Sequence, residues 1–158
     1  KIADAFEIIT SPLIMEIKVT PKEELSLIEA VPEFGGEFIP DIVIPRRTGY
    51  NFIAETIKAS AGREFKLPQP QTGKKNIAVK YITGRNGFFT TFNPIKPEDT
   101  AGLLFWKIFK DIGAHTNPPE TNHDRIGVII TEGKTMREAI DACDLAIEKL
   151  SIKIRPSK

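Results

Sequence analysis

The stretch that decides the fold of this chain is residues 13–37, which read LIMEIKVTPKEELSLIEAVPEFGGE. Two runs rich in apolar residues, 13–20 and 25–30, flank the polar segment 21–24, a pattern that predicts a β-hairpin. Each run carries one central glutamate, Glu16 in the first and Glu29 in the second. Because side chains alternate between the two faces of a strand, the loop length decides whether the two carboxylates can meet.

Three loop lengths give three geometries. A four-residue loop places Glu16 directly opposite Glu29, with Cβ atoms roughly 5 Å apart. A two-residue loop places Glu16 opposite Leu27 and makes Glu29 a diagonal neighbour on the same face, roughly 7–8 Å away. An odd-numbered loop puts the carboxylates on opposite faces. Since even loops are common in hairpins, we expect a shared face.

The remaining hairpin residues are assigned by the same alternation. We expect three apolar residues on the glutamate face: Ile14, Leu25 and Leu27. We expect the other face to be core, with Leu13, Met15, Ile17, Val19 and Ile28. Two close carboxylates repel unless a proton or a cation lies between them. Hard oxygen ligands of this kind suit Mg²⁺, whereas the alternative is a glutamate pair on a solvated face.

Composition excludes several classes of function. Of 158 residues, 41% are hydrophobic and 27% are charged, as in an ordinary globular protein. The net charge of +1 gives no general attraction to nucleic acid or to an anionic membrane, and neither is expected as a partner. A lone Cys143 with two histidines makes a His/Cys zinc site improbable. The single cysteine and the lack of a visible signal peptide fit a cytoplasmic protein.

The other predicted elements come from local patterns. We expect loop with short helical pieces over 33–49 and a helix over 50–61. The Asn86-Gly87 turn predicts a hairpin between strands 76–83 and 88–92. A four-residue apolar spacing favours a helix over 100–111, and 115–123 is expected to be loop. A buried strand over 125–131, a helix entered through the capping box Thr135-Met136-Arg137-Glu138 and a short strand over 152–154 complete the chain.

The first seven residues resemble the tail of a helix, and the sequence begins without Met. We therefore expect the chain to be an excised piece of a longer protein.

Four blocks of the sequence resemble the ATP-grasp superfamily. Residues 28–41, IEAVPEFGGEFIPD, are similar to the signature I-E-x-N-P-R-x-G-G-x-x-I-P-D, and residues 11–16, SPLIME, resemble the strand that carries the other metal-binding Glu. Residues 48–53, TGYNFI, and 125–139, RIGVIITEGKTMREA, resemble a helix entry and the C-terminal strand–turn–helix of biotin-carboxylase-like and carboxylate–amine ligase members. The blocks follow the family order and cover most of the chain except 63–122.

The resemblance implies an architecture and an activity. It implies an α+β fold, mainly antiparallel sheet with packed helices: the C-terminal half of an ATP-grasp domain (1–62), a linker (63–75) and a small C-terminal lobe (76–158). It implies a ligase that uses ATP and Mg²⁺ to activate a small carboxylate as an acylphosphate for attack by an amine or similar nucleophile. It leaves a homodimer open. The fragment alone is expected to bind ATP poorly and to be inactive.

Site residues carry over position by position. Glu16 and Glu29 match the family's metal ligands, and Gly35 and Gly36 match a turn where backbone approaches substrate, which suits residues that lack Cβ. The catalytic residues remain unknown.

The sequence also departs from the family. Val31 replaces an Asn ligand, Ile14 replaces a frequent His, and Glu33 replaces an Arg near phosphate or substrate. Either Glu33 or Glu37 is a candidate to replace the missing oxygen ligand. Arg46 and Arg47 are candidate anion-binding residues, with a solvated pair as the alternative. These departures keep a second function open, a non-catalytic binding or assembly domain on the same scaffold.

Overall fold

A computed structural model describes residues 2–68 and 75–157 of the chain. The chain divides into two compact units, Lys1–Gly73 and Lys74–Lys158. Every strand pair in the described residues is antiparallel, and helices accompany the sheets, so the expected α+β class is confirmed. The division falls inside the expected linker, of which residues 69–74 lie outside the described part. No helix in the described part is long and apolar enough to cross a membrane.

The first unit is a two-stranded hairpin followed by short helices. Its elements are α1 (Ile2–Ala5), β1 (Ile14–Val19), β2 (Leu25–Val31), a π-helix (Ile39–Val43), α2 (Ile44–Thr48) and α3 (Phe52–Ser60). The predicted helix over 50–61 is confirmed as α3, which begins where the Asn51 side chain accepts a hydrogen bond from the Ala54 N–H at 3.0 Å. Glu55 on this helix accepts bonds from Lys58 Nζ and from the Lys66 N–H, which anchors the segment that follows the helix.

The first unit buries little of its apolar surface. Among residues 2–68, Pro40 is the one fully buried residue. The hairpin face that was expected to be core is instead exposed: Met15 is 41% accessible and Val19 is 62% accessible. A two-stranded hairpin has two open edges and one uncovered apolar face, which makes it marginally stable by itself. The expectation was wrong because alternation identifies the apolar face but not whether anything packs on it.

The second unit contains two small sheets and one long helix. Its elements are β3 (Asn76–Ile82), β4 (Gly87–Thr91), β5 (Leu103–Ile108), β6 (His115–Thr116), β7 (Gly127–Gly133), α4 (Met136–Leu150) and β8 (Lys153–Arg155), with 3₁₀ turns at Pro97–Asp99 and Asn122–Asp124. One sheet has the order β3-β7-β5, and the other has the order β6-β4-β8.

The centre of the second unit is β7, which pairs with strands on both sides. Its first five residues are fully buried, as expected for a continuous apolar run between two neighbours. Helix α4 presents a buried stripe at helical spacing, formed by Ala139, Cys143, Ala146 and Leu150. The Thr131 hydroxyl on β7 donates to the Ala139 carbonyl at 2.5 Å, so the one polar side chain in this contact is satisfied.

The capping box predicted at the start of α4 is present in a modified form. The Thr135 hydroxyl accepts the Glu138 N–H at 3.1 Å, as predicted. The Glu138 carboxylate, however, accepts the N–H of Lys134 at 2.8 Å, one residue earlier than the expected N–H of Thr135. The side chains of Thr135 and Glu138 therefore still satisfy two backbone N–H groups at the start of the helix, as a capping box does.

The predicted helix over 100–111 is wrong, because residues 103–108 form strand β5. Leu104 and Ile108 are four residues apart, as are Phe105 and Phe109. A spacing of four fits one face of a helix, but it is also a multiple of two and therefore fits one face of a strand. Pairing with the buried β7 decides between the two, since β5 forms one side of that sheet.

The predicted hairpin around Asn86-Gly87 is also wrong. Strand β3 pairs with β7, whereas β4 lies in the other sheet between β6 and β8. Residues 83–86 therefore cross from one sheet to the other, and the Thr116 hydroxyl holds this crossing by donating to the Arg85 carbonyl at 2.7 Å. The segment 115–123, expected to be loop, supplies the short strand β6. The local turn preference is overridden by long-range pairing with the apolar β7.

We predict that Gly102→Ala destabilises the protein far more than Gly113→Ala. Both glycines have a positive φ, 82° and 93°, but a Cβ at Gly102 would collide with the Glu132 backbone oxygen, whereas a Cβ at Gly113 meets open space. Backbone strain alone costs about 1–2 kcal/mol, and the collision should raise the loss at Gly102 to about 3 kcal/mol. Urea unfolding followed by circular dichroism measures both free energies, and equal losses would contradict this packing.

We also predict that the Cys143 thiol is unreactive in the folded protein. Burial raises the pKa of this thiol, an effect that hydrogen bonding to Thr131 only partly offsets. Because the thiolate is the reactive form, iodoacetamide should alkylate Cys143 slowly in native buffer and rapidly in urea. Mass spectrometry measures the extent of alkylation over time. Rapid alkylation of the native protein would contradict the prediction and show that α4 separates readily from the sheet.

Candidate metal centre

The β1–β2 hairpin brings Glu16 and Glu29 together as direct cross-strand partners. Its route to this register differs from the one expected. The strands are joined by the five residues Thr20–Glu24, because Val19 pairs with Leu25. An odd loop alone would place the two glutamates on opposite faces. A β-bulge restores the match: Glu16 pairs with Glu29 but Ile17 pairs with Leu27, so Ile28 is an extra residue in β2.

The bulge also changes which apolar side chains accompany the glutamates. Leu25 and Leu27, expected on the glutamate face, are partners of Val19 and Ile17 and therefore lie on the opposite face. This assignment was wrong because it extended one register along the whole hairpin, whereas the bulge reverses the faces of β2 at Ile28. The loop end of the glutamate face is thus more polar than predicted and carries Lys18 and Ser26 as a pair.

The loop that follows β2 packs beside the other end of the hairpin, away from the turn. A pocket of about 700 Å³ lies elsewhere, in the second unit, but the pocket at the hairpin has a volume of about 540 Å³. Its lining combines residues of both strands with the glycine loop: Ile14, Met15, Glu16, Glu29, Val31, Glu33, Gly35 and Gly36. The smaller pocket therefore contains five of the seven residues predicted from the sequence.

The two glycines of the loop have different surroundings. Gly35 has a φ of 71°, and a Cβ there would collide with the end of the Ile14 side chain. Gly36 has no atom near the position of a Cβ, so its backbone faces open space. Gly35 therefore fits the loop against β1, and Gly36 is the position where backbone is accessible to a ligand. Ile14 is a contributor that the sequence did not identify, because its contact with Gly35 exists only once the loop has closed.

The loop continues in an unusual backbone conformation. Glu37 and Phe38 are consecutive non-glycine residues with φ of 61° and 64°, a region that L-residues seldom occupy. Phe38 then leads into the π-helix, a rare element often found at functional sites. After the π-helix the chain continues into α2, which carries Arg46 and Arg47. Both arginines are exposed and are not among the residues that line the pocket, and their anion-binding role stays a prediction.

The carboxylate oxygens in the pocket are of the kind that binds a hard cation, with a further ligand completing the coordination. Glu16, Glu29 and Glu33 are all exposed carboxylates. Within the described residues, no group of three acidic, histidine or cysteine side chains is arranged to hold a metal. Glu16 and Glu29 therefore offer two carboxylates, and Mg²⁺ commonly uses one or two carboxylates together with substrate phosphates. Val31, the partner of Ile14, brings no oxygen to this set from its side chain.

Comparison with known proteins finds a family model that matches part of the second unit. Residues 96–155 match the family model for L-amino acid ligase C-terminal domain 2. No curated protein sequence matches the chain significantly.

Solved structures match along nearly the whole chain. The L-amino acid ligase from Bacillus licheniformis is 15% identical over 99% of this chain and 38% of its own, with a TM-score of 0.77. The phosphoribosylglycinamide synthetase from Anaerococcus prevotii is 17% identical over 98% of this chain and 39% of its own, with a TM-score of 0.79. The N5-carboxyaminoimidazole ribonucleotide synthetase from Thermotoga maritima is 15% identical over 99% of this chain and 40% of its own, with a TM-score of 0.60.

We predict that Gly35→Ala and Gly36→Ala have different effects on the first unit. The positive φ of Gly35 and its contact with Ile14 should cost about 1–2 kcal/mol when a methyl group is added, whereas Gly36→Ala should be nearly neutral. Hydrogen exchange of the β1 and β2 amides measures local opening of the hairpin. Equal exchange in both variants would contradict the assignment of Gly35 to packing.

The chain spans about two fifths of the length of these structures. The structural similarity shows the fold alone. The family-model match at residues 96–155 adds a sequence similarity, which is confined to the second unit. The chain therefore has the fold of the corresponding part of these ligase and synthetase structures, and residues 96–155 are similar in sequence to L-amino acid ligase C-terminal domain 2.

Proposed function

We propose that this chain is part of an ATP- and Mg²⁺-dependent ligase that activates a small carboxylate as an acylphosphate, which an amine or similar nucleophile then attacks. The observation that carries the proposal is the direct pairing of Glu16 with Glu29 in a pocket beside the glycine loop. The structural similarity supports it, since the similar solved structures are those of a ligase and two synthetases.

Each residue of the pocket has a distinct task in this proposal. Glu16 and Glu29 hold Mg²⁺ from one face of the hairpin, and the bound ion offsets the negative charge of the transferring phosphoryl group. Gly36 offers accessible backbone to the substrate, and Gly35 holds the loop against β1. Glu33 adds a third carboxylate at the rim of the pocket, a carboxylate that a phosphate tolerates only when a cation lies between them. Arg46 and Arg47, which do not line the pocket, bind an anionic group of the substrate in this proposal.

The chain alone is proposed to bind ATP weakly and to have no turnover. The resemblance places the adenine clamp and the phosphate-binding lysines of the family outside these 158 residues. A two-carboxylate site without a nucleotide retains Mg²⁺ poorly, since this ion relies on phosphate oxygens to complete its coordination. Calorimetry with Mg-ATP tests this directly, and tight binding by the chain alone would contradict it.

We predict that Glu16→Gln or Glu29→Gln in the full-length protein abolishes ATP turnover without unfolding it. Loss of a carboxylate that holds the ion at the transferring phosphoryl group should reduce kcat by roughly 100-fold or more. Glu24→Gln is the matched control, because Glu24 is exposed in the same hairpin but lies in the loop away from the pocket. Phosphate release measures turnover, and circular dichroism verifies the fold.

A non-catalytic binding or assembly domain is the second candidate, and one observation favours it. Val31 and Glu33 replace an amide and a guanidinium that the family signature carries, so the pocket lacks one oxygen ligand and has gained negative charge. If the chain is such a non-catalytic domain, Glu16→Gln and Glu29→Gln leave the function of the full-length protein unchanged. Turnover that depends on Glu16 and Glu29 rules this candidate out.

A further inference from the structure

The outer face of the β6-β4-β8 sheet carries a row of basic and aromatic side chains. Phe88 on β4 pairs with His115 on one side and with Arg155 on the other, so the three side chains lie abreast on one face. The Phe88 and His115 rings are in edge-to-face contact at 5.2 Å, and the Arg155 guanidinium lies over the Phe88 ring at 5.9 Å. Lys153 shares the face because it alternates with Ile154 along β8. We call these four residues the Phe88 face.

The close approach of β8 to β4 depends on Gly87. A Cβ at this position would collide with the Arg155 backbone oxygen, so only glycine allows the two strands to pair here. The Ser157 hydroxyl contacts both Asn86 Oδ1 and His115 Nε2 at 3.3 Å, which ties the end of the chain across the sheet. The row is therefore held by the fold and is not a chance grouping of mobile side chains.

The charge on the Phe88 face is not neutralised within the described part of the chain. The strands β4, β6 and β8 contain no acidic residue. Among residues 2–68 and 75–157, neither Lys153 nor Arg155 takes part in an ion pair, whereas Lys58, Lys75, Lys80 and Arg137 do. Arg85 adds a third permanent cation beside β8, where its guanidinium donates to the Ile154 carbonyl at 3.2 Å. A cluster of unpaired cations around an aromatic ring is complementary to a ligand with carboxylates.

We propose that the Phe88 face is a docking surface for an acidic peptide segment of another protein. The Arg155 guanidinium presents a planar fork that matches a carboxylate, and Lys153 offers a second cation on the same face. Phe88 is partly exposed between them and can take an apolar side chain of the same segment. Three strands are about 10 Å across, which accommodates a few residues of an extended peptide.

The geometry favours a peptide over single-stranded nucleic acid. Nucleobases bind aromatic residues by stacking on an open ring face. One face of the Phe88 ring lies under Arg155, and His115 packs against the ring, so a stacking platform is largely taken. The chain has a net charge of +1, which gives a long polyanion little attraction beyond this face. This proposal concerns the second unit alone and does not depend on the proposed ligase activity.

Fluorescence anisotropy with the whole chain tests the proposal. The probe is a short labelled peptide of alternating glutamate and leucine, compared with a peptide in which glutamine replaces glutamate and with a labelled oligothymidylate. We expect the glutamate peptide to bind in low salt, to be released by added salt, and to bind about tenfold more weakly to Arg155→Glu. Lys107→Glu, a charge reversal at an exposed lysine of β5, should leave binding unchanged.

Three outcomes would overturn the proposal: equal binding of the two peptides, unchanged binding by Arg155→Glu, or tighter binding of the oligothymidylate. Thermal unfolding verifies that the variants are folded. If Arg155→Glu does not fold, Lys153→Glu replaces it, because Lys153 is exposed and its side chain lies on the same face. No loss of binding in that variant would equally contradict an acidic partner.

Discussion

The candidate site depends on a single extra residue in β2. Ile28 forms a bulge opposite Glu16 and Ile17, and this bulge compensates for an odd-numbered hairpin loop. Because the side-chain period of a strand is two, loss or gain of one residue transfers every later side chain to the other face. Without the bulge, Glu29 would share a face with Met15 and Ile17, and the two carboxylates could not act on one ion. The bulge is thus part of the chemistry of the site as well as of its shape.

The two units contribute different properties to the protein. The second unit has a continuous core around β7 and α4, built from side chains that are fully buried. The first unit carries the carboxylates, the glycine loop and the strained residues Glu37 and Phe38, and it buries little apolar surface of its own. Regions with few buried contacts open more readily than packed cores. The residues proposed to hold the metal therefore lie in the unit with the smaller buried core.

The chemistry of the pocket follows from which ATP-grasp positions are kept and which are replaced. The two carboxylates that suit Mg²⁺ are present, and the loop presents accessible backbone at Gly36. Val31 removes a side-chain oxygen, and Glu33 adds a negative charge where the family signature has a positive one. In the proposed function, these changes make the metal more important for binding a nucleotide than in a pocket that also contains arginine, because the added negative charge of Glu33 repels phosphate unless a cation lies between them.

The sequence alone determined the elements whose patterns are local and unambiguous. It predicted the hairpin, α3, the buried strand β7, α4 with its cap and the short β8, because turn residues, capping residues and apolar periodicity act within a few positions of one another. It also predicted that Glu16 and Glu29 share a face, although through an even-numbered loop that the structure does not have. Tertiary structure alone decided three further features: the bulge at Ile28, the choice of strand over helix for β5, and the placement of β3 and β4 in different sheets. The bulge depends on the exact register between β1 and β2, which alternation alone does not fix. The other two features depend on which distant strand supplies the hydrogen-bond partner, and local spacing or a turn signal carries no information about that partner.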